Sequence, residues 1–232
     1  MTREEFLKEA RVMKDLQHPK LVTLFAVISS EPIMIITEFM GGGSLLHYLR
    51  SSSRQQLPCG TLVSIISQVA VGMQYLEANS YIHRDLAARN ILVGDCNEVK
   101  IADFGLARII ENCYDVYNAK ENTSIPLKWT APEAIRGRFS TKSDVWSFGV
   151  LVHEVMTYGQ VPYPSMTNEE AIKQVMKGYR MPRPGTCPAE IYKLMLKMWK
   201  EAAEKRPSFA EISRFLDNLD TFTSLYEAYA KY

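Results

Sequence analysis

The residues best suited to chemistry lie in one short polar stretch, residues 83–90, and in a carboxylate that follows it. Asp85 and Asn90 are five positions apart, and Asp103 comes thirteen positions after Asn90. Carboxylate and amide oxygens are hard ligands of the kind that hold Mg²⁺, and a well-placed carboxylate can accept the proton of a hydroxyl group. Turn capping is the alternative role for such acids, so the surrounding pattern must decide between the two.

Three short motifs occur in order along the chain. Residues 83–90 match H-R-D-L-x-x-x-N, residues 103–105 read Asp-Phe-Gly, and residues 131–133 read Ala-Pro-Glu after a long loop. Each motif alone is a weak signal, but their order and spacing form the signature of protein kinases. The sequence therefore resembles the eukaryotic protein-kinase family over essentially the whole chain.

The resemblance implies transfer of the γ-phosphoryl group of ATP to a protein hydroxyl group, with Mg²⁺ or Mn²⁺ as the metal. Asp85 would accept or orient the hydroxyl proton, and Arg89 is assigned to catalysis beside it. Asn90 and Asp103 would supply oxygen ligands for the metal. The partners would be protein and peptide substrates.

The nucleotide site is expected around the end of the second predicted strand. By resemblance, Thr37 is the gatekeeper residue, Glu38 and Met40 belong to the hinge that reads the adenine edge, and Leu92 forms the floor beneath the ring. The glycine run 41–43 follows this strand and lacks G-x-G-x-x-G spacing, so we interpret it as a turn and not as a phosphate loop.

Several residues are expected to support the site without touching substrate. His83 is interpreted as a buried structural histidine packed under the Phe104 ring, and Arg84 as a partner for a phosphorylated loop residue. Glu133 and Arg206 resemble the buried ion pair of the family. Removal of one partner of such a pair would leave a buried charge uncompensated.

The acceptor residue is predicted to be tyrosine. Serine/threonine kinases usually carry a lysine two positions after the catalytic aspartate, but this chain has Ala87 there and then Arg89, in the Ala-Ala-Arg order typical of tyrosine kinases. Pro126, within residues 125–130, would give an apolar floor for a phenol ring. A small-molecule phosphotransferase is disfavoured by the same peptide platform.

Longer stretches resemble the cytoplasmic Src-like group, namely residues 128–134, 143–149, 161–164 and 178–182. The Ala-Ala-Arg order is similar to the Frk/Brk branch, with the Tec, Csk and Abl groups as alternatives. The resemblance implies a cytoplasmic protein whose regulatory modules lie upstream in the full-length chain. Peripheral contact of that full-length protein with the plasma membrane stays open.

Two tyrosines are predicted to be regulatory phosphosites. Tyr117 lies in the register of the Src-type autophosphorylation tyrosine, whereas Tyr114 is interpreted as an exposed loop residue. A phosphate on Tyr117 would add nearly two negative charges to the loop. Tyr226 is a candidate inhibitory tail site, with Tyr229 and Tyr232 close by as competing positions.

The elements that must position these residues give an α+β protein with a kinase-like bilobal fold. Helical spacing predicts a helix over residues 3–16, β-branched runs at 21–28 and 33–38 predict a hairpin, and a long helix is expected over 59–78. We expect a remnant of the small lobe (1–40), a helical large lobe (41–220) and a tail (221–232).

Glu9 aligns with the glutamate of the third kinase helix, which in the family pairs with a lysine on a preceding strand. Only eight residues precede Glu9. The printed chain therefore contains neither that strand nor a glycine-rich loop, and we expect residues 1–232 alone to have negligible kinase activity. The alternative is a non-catalytic scaffold or dominant-negative fragment that binds partners through the large lobe.

Composition excludes several classes of protein. Lys plus Arg number 27 and Asp plus Glu number 26, so a net charge of +1 gives no reason to expect a nucleic-acid partner. The four cysteines form no C-x-x-C pair, which fits a reducing compartment. The apolar stretches 61–76 and 145–156 are too polar or too short for transmembrane helices.

Overall fold

The computed structural model describes residues 10–28, 30, 32–52, 55–103, 108–109, 117–118 and 126–229, and the side chains of 108–109, 117–118 and 220–229 lie outside this description. The helices are α1 (10–15), α2 (Leu45–Ser51), α3 (Cys59–Ala78), α4 (Pro132–Ile135), α5 (Thr141–Met156), α6 (Asn168–Met176), α7 (Ala189–Met198) and α8 (Phe209–Tyr229). The strands are β1 (Leu24–Ile28), β2 (Met34–Thr37), β3 (Gly43–Ser44), β4 (Tyr81–Ile82), β5 (Ile91–Val93), β6 (Val99–Ile101), β7 (Arg108–Ile109), β8 (Tyr117–Asn118) and β9 (Arg138–Phe139).

The small part of the molecule consists of α1 and an antiparallel hairpin of β1 and β2. Leu24 pairs with Thr37 and Ile28 pairs with Met34, with an irregularity in register near the start of β1. β-Branched side chains suit such a pleated surface, so the strands form where the sequence predicts them. The hairpin ends at Thr37, where the nucleotide site is expected.

A short backbone contact joins this small part to the larger helical part. The Val22 N–H donates to the Ile101 carbonyl at 2.9 Å, and the Ile101 N–H donates to the Lys20 carbonyl at 2.9 Å. Gly72 of α3 lies against this contact, since a Cβ there would be 2.8 Å from Ile101 Cδ1 and 3.0 Å from the Lys20 oxygen. Glycine at position 72 is therefore required for the close approach of helix and strand.

The core of the large part forms around α3, α5 and α8. The side chains of Leu62, Ile65, Ile66 and Met73 on α3 are at most 1% exposed, and α3 packs against α8. By length and composition alone, α3 is apolar enough to cross a membrane, but half of that apolar window is buried within the protein. Its apolar side chains therefore serve the core.

Helices dominate the chain beyond residue 131, as predicted, but two boundaries differ from expectation. α8 continues to Tyr229, so the boundary expected at 220 falls inside a helix; no Gly or Pro occurs between Phe209 and Tyr229 to end it. Strand β8 lies within the long loop that the sequence predicts between the Asp-Phe-Gly and Ala-Pro-Glu motifs, and it pairs with β9. Because the partner strand is distant in sequence, no local sequence pattern predicts this pairing.

Arg206 holds the loop before α8 to the rest of the large part. Its Nη1 and Nη2 donate to the two carboxylate oxygens of Glu133 at 2.6 and 2.9 Å. Its guanidinium also donates to the carbonyl oxygens of Lys200, Lys142 and Glu201 at 2.8, 2.9 and 3.2 Å. The five N–H donors are thus all engaged, which is the condition under which a buried charge is tolerated.

We expect Glu133→Ala to lower the free energy of unfolding by about 3–5 kcal/mol, because it leaves the buried Arg206 charge without its carboxylate. The matched control is Glu190→Ala, which breaks the exposed ion pair with Lys193 and should cost less than about 1 kcal/mol. Urea denaturation of both variants gives the comparison. Equal, small losses would contradict the structural importance of the buried pair.

His153 of α5 is a second buried ionisable group. Its side chain is 6% exposed, and its Nδ1 has no hydrogen-bond partner among the described residues. Burial lowers the pKa of His153 from 6.5 to about 4. The imidazole is therefore uncharged in the folded protein at neutral pH, whereas in the unfolded chain it gains a proton near its ordinary pKa.

Because the folded pKa of His153 is depressed, the folded state should lose stability as the pH falls from about 6.5 to about 4. His153→Leu removes this titration, so its Tm relative to the parent protein should rise progressively on acidification across that window. Thermal unfolding at several pH values measures the difference. Other titrating groups are common to both proteins and cancel, so parallel pH profiles would disprove the assignment.

Candidate active site

The polar loop that follows β4 is anchored by one carboxylate from the first turn of α5. Asp144 is 1% exposed, and its two oxygens accept the backbone N–H groups of His83 at 2.7 Å and Arg84 at 3.0 Å. Burial raises the pKa of Asp144 to about 6, although His83 and these hydrogen bonds act in the opposite direction. Arg84 has a φ of 72°, so the chain turns sharply at the anchored point.

Sequence reasoning missed the anchoring role of Asp144. The stretch 143–149 enters the sequence analysis only as a resemblance, and the burial of every residue from Asp144 to Met156 is visible only in the structure. A buried acid requires hydrogen-bond donors, and the donors here are backbone groups of another segment.

His83 links the polar loop to the segment that carries Asp103. The ring is fully buried, its Nδ1 accepts the Asp85 N–H at 3.3 Å, and its Nε2 lies 3.1 Å from the Ala102 carbonyl oxygen. One tautomer, protonated at Nε2, satisfies both contacts. His83 is thus a buried structural residue; its expected contact with Phe104 lies outside the described residues.

Asp85, Arg89 and Asn90 form one hydrogen-bonded cluster. The Arg89 Nη2 donates to Asp85 Oδ1, and the Asn90 Nδ2 donates to Asp85 Oδ2 at 2.9 Å and to the Asp85 carbonyl at 2.7 Å. Two donors on separate carboxylate oxygens fix the plane of the carboxylate. The structure therefore brings together the three residues that the sequence assigns to catalysis and holds Asp85 in a single orientation.

The backbone places Asp103 beside this cluster. The Ala102 N–H donates to the Asn90 carbonyl at 2.9 Å, and the exposed Asp103 follows with a φ of 58°. Since the Asn90 Nδ2 is directed at Asp85, its Oδ1 is the atom left to face a cation. An amide oxygen and a carboxylate form a donor set that suits Mg²⁺, whose remaining ligands are normally phosphate oxygens and water.

The expected hinge is held by Glu38. Its Oε1 accepts the Thr23 N–H at 2.6 Å, and its Oε2 forms an ion pair with Lys100 Nζ at 2.6 Å. Burial alone would raise the pKa of Glu38, but the hydrogen bonds from Lys100 and Thr23 outweigh it and lower the pKa. The carboxylate is therefore committed to the fold, and only the backbone of Glu38 can serve a ligand.

The remaining residues expected around the nucleotide lie close to this hinge. Met40 is 8% exposed, while Leu92 of β5 is half-buried and pairs with Ser44 of β3. The Gly42 N–H donates to the Val93 carbonyl at 2.8 Å, and a Cβ on Gly42 would lie 2.9 Å from that oxygen. The glycine run thus allows the chain to pass against β5.

Glu154, at the other end of α5, connects the polar loop to the segment before Ala131. It is 2% exposed, and its Oε2 accepts both the Ala88 N–H at 3.0 Å and the Trp129 Nε1–H at 2.8 Å. Burial raises the pKa of Glu154, opposed by these two hydrogen bonds. The Arg89 guanidinium lies 4.9 Å over the Trp129 ring, so the indole is held by Glu154 and supports the partner of Asp85.

The structure describes the two predicted phosphosites, Tyr117 and Tyr226, only in part, and it does not describe Glu9. Glu9 lies outside the described residues, and only the backbone of Tyr117 and Tyr226 is described, in β8 and α8. In β8, Tyr117 pairs with Phe139, and the Arg84 guanidinium lies 4.4 Å over the Phe139 ring. The backbone of Tyr117 thus runs beside the strand that Arg84 contacts.

We expect Glu154→Leu to increase amide hydrogen exchange at residues 86–90 and at 127–131 together, by at least about tenfold, because it leaves two buried donors unsatisfied at about 1–3 kcal/mol each. Glu154→Gln is the matched control: both donors bind the same oxygen, and a carbonyl oxygen can accept two bonds. Exchange measured by mass spectrometry distinguishes them. Independent behaviour of the two segments would show that Glu154 does not couple them.

Comparison with known proteins agrees with this geometry. The family described as "Protein tyrosine and serine/threonine kinase" matches residues 1–216. The tyrosine-protein kinase SRK3 of the sponge Spongilla lacustris is 51% identical over 217 residues, which cover 93% of this chain and 64% of that relative. The chain thus spans less than two thirds of the length of this relative. The match over residues 1–216 shows that the chain belongs to the protein tyrosine and serine/threonine kinase family.

Proposed function

We propose that the protein is a protein-tyrosine kinase that transfers the γ-phosphoryl group of ATP to tyrosine hydroxyl groups of protein substrates. The observation that carries this proposal is the cluster of Asp85, Arg89 and Asn90, with Asp103 tied to Asn90 through the backbone of residue 102. The relative from Spongilla lacustris carries the name of a tyrosine-protein kinase, which supports the same reading.

Each residue of the cluster has one task in this mechanism. Asp85 accepts or orients the proton of the phenolic hydroxyl, and its carboxylate plane is set by Arg89 and Asn90. Asn90 Oδ1 and the Asp103 carboxylate would hold Mg²⁺ or Mn²⁺. When bound, the metal with ATP supplies the phosphoryl group and neutralises negative charge on its oxygens. The protein contributes to phosphoryl transfer by positioning the reacting groups and by electrostatic stabilisation.

Tyrosine specificity follows from the residues around Arg89. Position 87 is an alanine, so this chain has no lysine two positions after Asp85. The Arg89 guanidinium instead lies over Trp129, whose indole is tied to Glu154. Arg89, which also binds Asp85, thus contacts Trp129 in the segment 126–131, and a phenol ring would lie on this segment as its platform.

The finer assignments extend this proposal. The adenine would be surrounded by Thr37, Glu38, Met40 and Leu92. The backbone groups of the hinge would form hydrogen bonds with the adenine edge. Phosphorylation of Tyr117 would add negative charge to β8, whose backbone pairs with the strand of Phe139, the ring that Arg84 contacts. The resemblance further supports a place for the protein in the Src-like group, nearest the Frk/Brk branch. It also implies upstream regulatory modules, a phosphosite at Tyr226 and cytoplasmic localisation.

The test is phosphorylation of poly-Glu-Tyr with Mg-ATP by residues 1–232 and by the full-length protein, each with Asp85→Asn. We expect Asp85→Asn to reduce the rate by about 10²–10⁴-fold, since it removes the proton acceptor and keeps the shape of the side chain. Asp103→Asn should weaken binding of Mg-ATP in calorimetry, because it removes a charged metal ligand.

Two outcomes would count against the proposal. Transfer of phosphate to a serine-containing peptide assayed in parallel, with none to poly-Glu-Tyr, would contradict the acceptor specificity. No phosphorylation by either wild-type protein, in folded samples whose Mg-ATP binding is unaffected by Asp103→Asn, would favour the non-catalytic scaffold instead.

A further inference from the structure

A basic pocket of about 440 Å³ lies between the start of α5, the end of α7 and the loop that leads into α8. Four lysines line it: Lys142, Lys197, Lys200 and Lys205. Within the described part of the chain, none of the four forms an ion pair with a carboxylate. In a chain whose net charge is +1, such a group of cations on one concave surface is a local excess.

Two glutamates also line the pocket and moderate its charge. Four lysines against Glu204 and Glu211 leave a net charge of +2 beside Arg206, whose charge is balanced by Glu133. Glu211 is already engaged, because its Oε2 accepts the Ser208 N–H at 2.8 Å and the Ser208 hydroxyl at 3.0 Å. A singly charged anion would gain little here, so the pocket favours a ligand with several negative charges.

The backbone that carries these lysines is fixed by Arg206. Its guanidinium binds the carbonyl oxygens of Lys142 and Lys200, and the Lys142 Nζ donates to the Arg206 carbonyl at 3.1 Å. The lysines on the two sides of the pocket therefore project from a braced frame, while the ammonium groups of Lys197, Lys200 and Lys205 belong to exposed residues. A ligand would not have to order the frame on binding.

Part of the pocket lining is apolar. Leu194 of α7, Phe215 of α8 and Pro207 form this part of the lining. A carbon ring can lie against such a surface while groups around its edge reach the lysines, and lysine ammonium groups bind phosphate as compact point charges.

We propose that this pocket binds a polyphosphorylated ring of the inositol phosphate type, either free or as the headgroup of a lipid. The ring would lie against the apolar lining residues Leu194 and Phe215, and its phosphates would bind Lys197, Lys200 and Lys205. No lysine of the pocket belongs to the candidate active site, so the proposal does not depend on phosphoryl transfer.

The test is isothermal titration of the 232-residue chain with inositol hexakisphosphate. We expect Lys197→Gln and Lys200→Gln each to weaken binding about fivefold, the effect of about one charge contact. Lys193→Gln is the matched control, since Lys193 lies one turn before Lys197 on α7, is exposed and is not part of the pocket. It should change the affinity less than about twofold.

A second arm distinguishes the two sources of the ligand. Sedimentation with phosphatidylcholine vesicles, with and without phosphatidylinositol bisphosphate, is compared with binding of the soluble probe. Binding to the soluble probe alone supports a free ligand, and binding to both supports a lipid headgroup. The proposal is overturned if a folded sample binds neither, or if Lys193→Gln weakens binding as much as Lys197→Gln, which would indicate general charge attraction.

Discussion

The N–H groups of His83 and Arg84 donate to a carboxylate, Asp144, that is almost completely buried. A buried carboxylate is costly unless donors satisfy it, and a loop that leaves β4 through a positive φ needs an acceptor outside itself. The loop supplies the N–H donors that the Asp144 carboxylate needs, and the carboxylate supplies the acceptor that the loop needs. Asp85 and Asn90 follow within seven residues of His83, so the position of the hydrogen-bonded cluster that they form with Arg89 depends on this contact.

Both ends of helix α5 support the polar loop that follows β4. Asp144 lies in the first turn of the helix and binds the start of the loop, while Glu154 lies ten residues later, about 15 Å along the helix axis, and binds the Ala88 N–H. Because α5 is buried on all sides from Ser143 to Met156, it cannot shift without disturbing the core. The candidate active site is thus held rigid by α5, which is itself fixed in the core.

Arg206 connects the candidate active site to the basic pocket. Its guanidinium binds Glu133, which follows the peptide platform, and it also binds the carbonyl oxygens of Lys142 and Lys200. Removal of this side chain would therefore affect both regions. The buried acids Asp144 and Glu154 position the backbone of the polar loop, whereas the exposed lysines give the basic pocket its charge.

The sequence by itself determined the motif order, the hairpin and the long helices, and it marked Asp85, Asn90 and Asp103 as candidate site residues, because these depend on spacing and periodicity within short windows. Only the tertiary structure decided what holds them. Asp144 meets His83 across 61 positions, Glu154 meets Ala88 across 66, and Lys100 meets Glu38 across 62. Such partners come together through the packing of α5 and β6, and their pairing depends on three-dimensional distance, which no local pattern encodes.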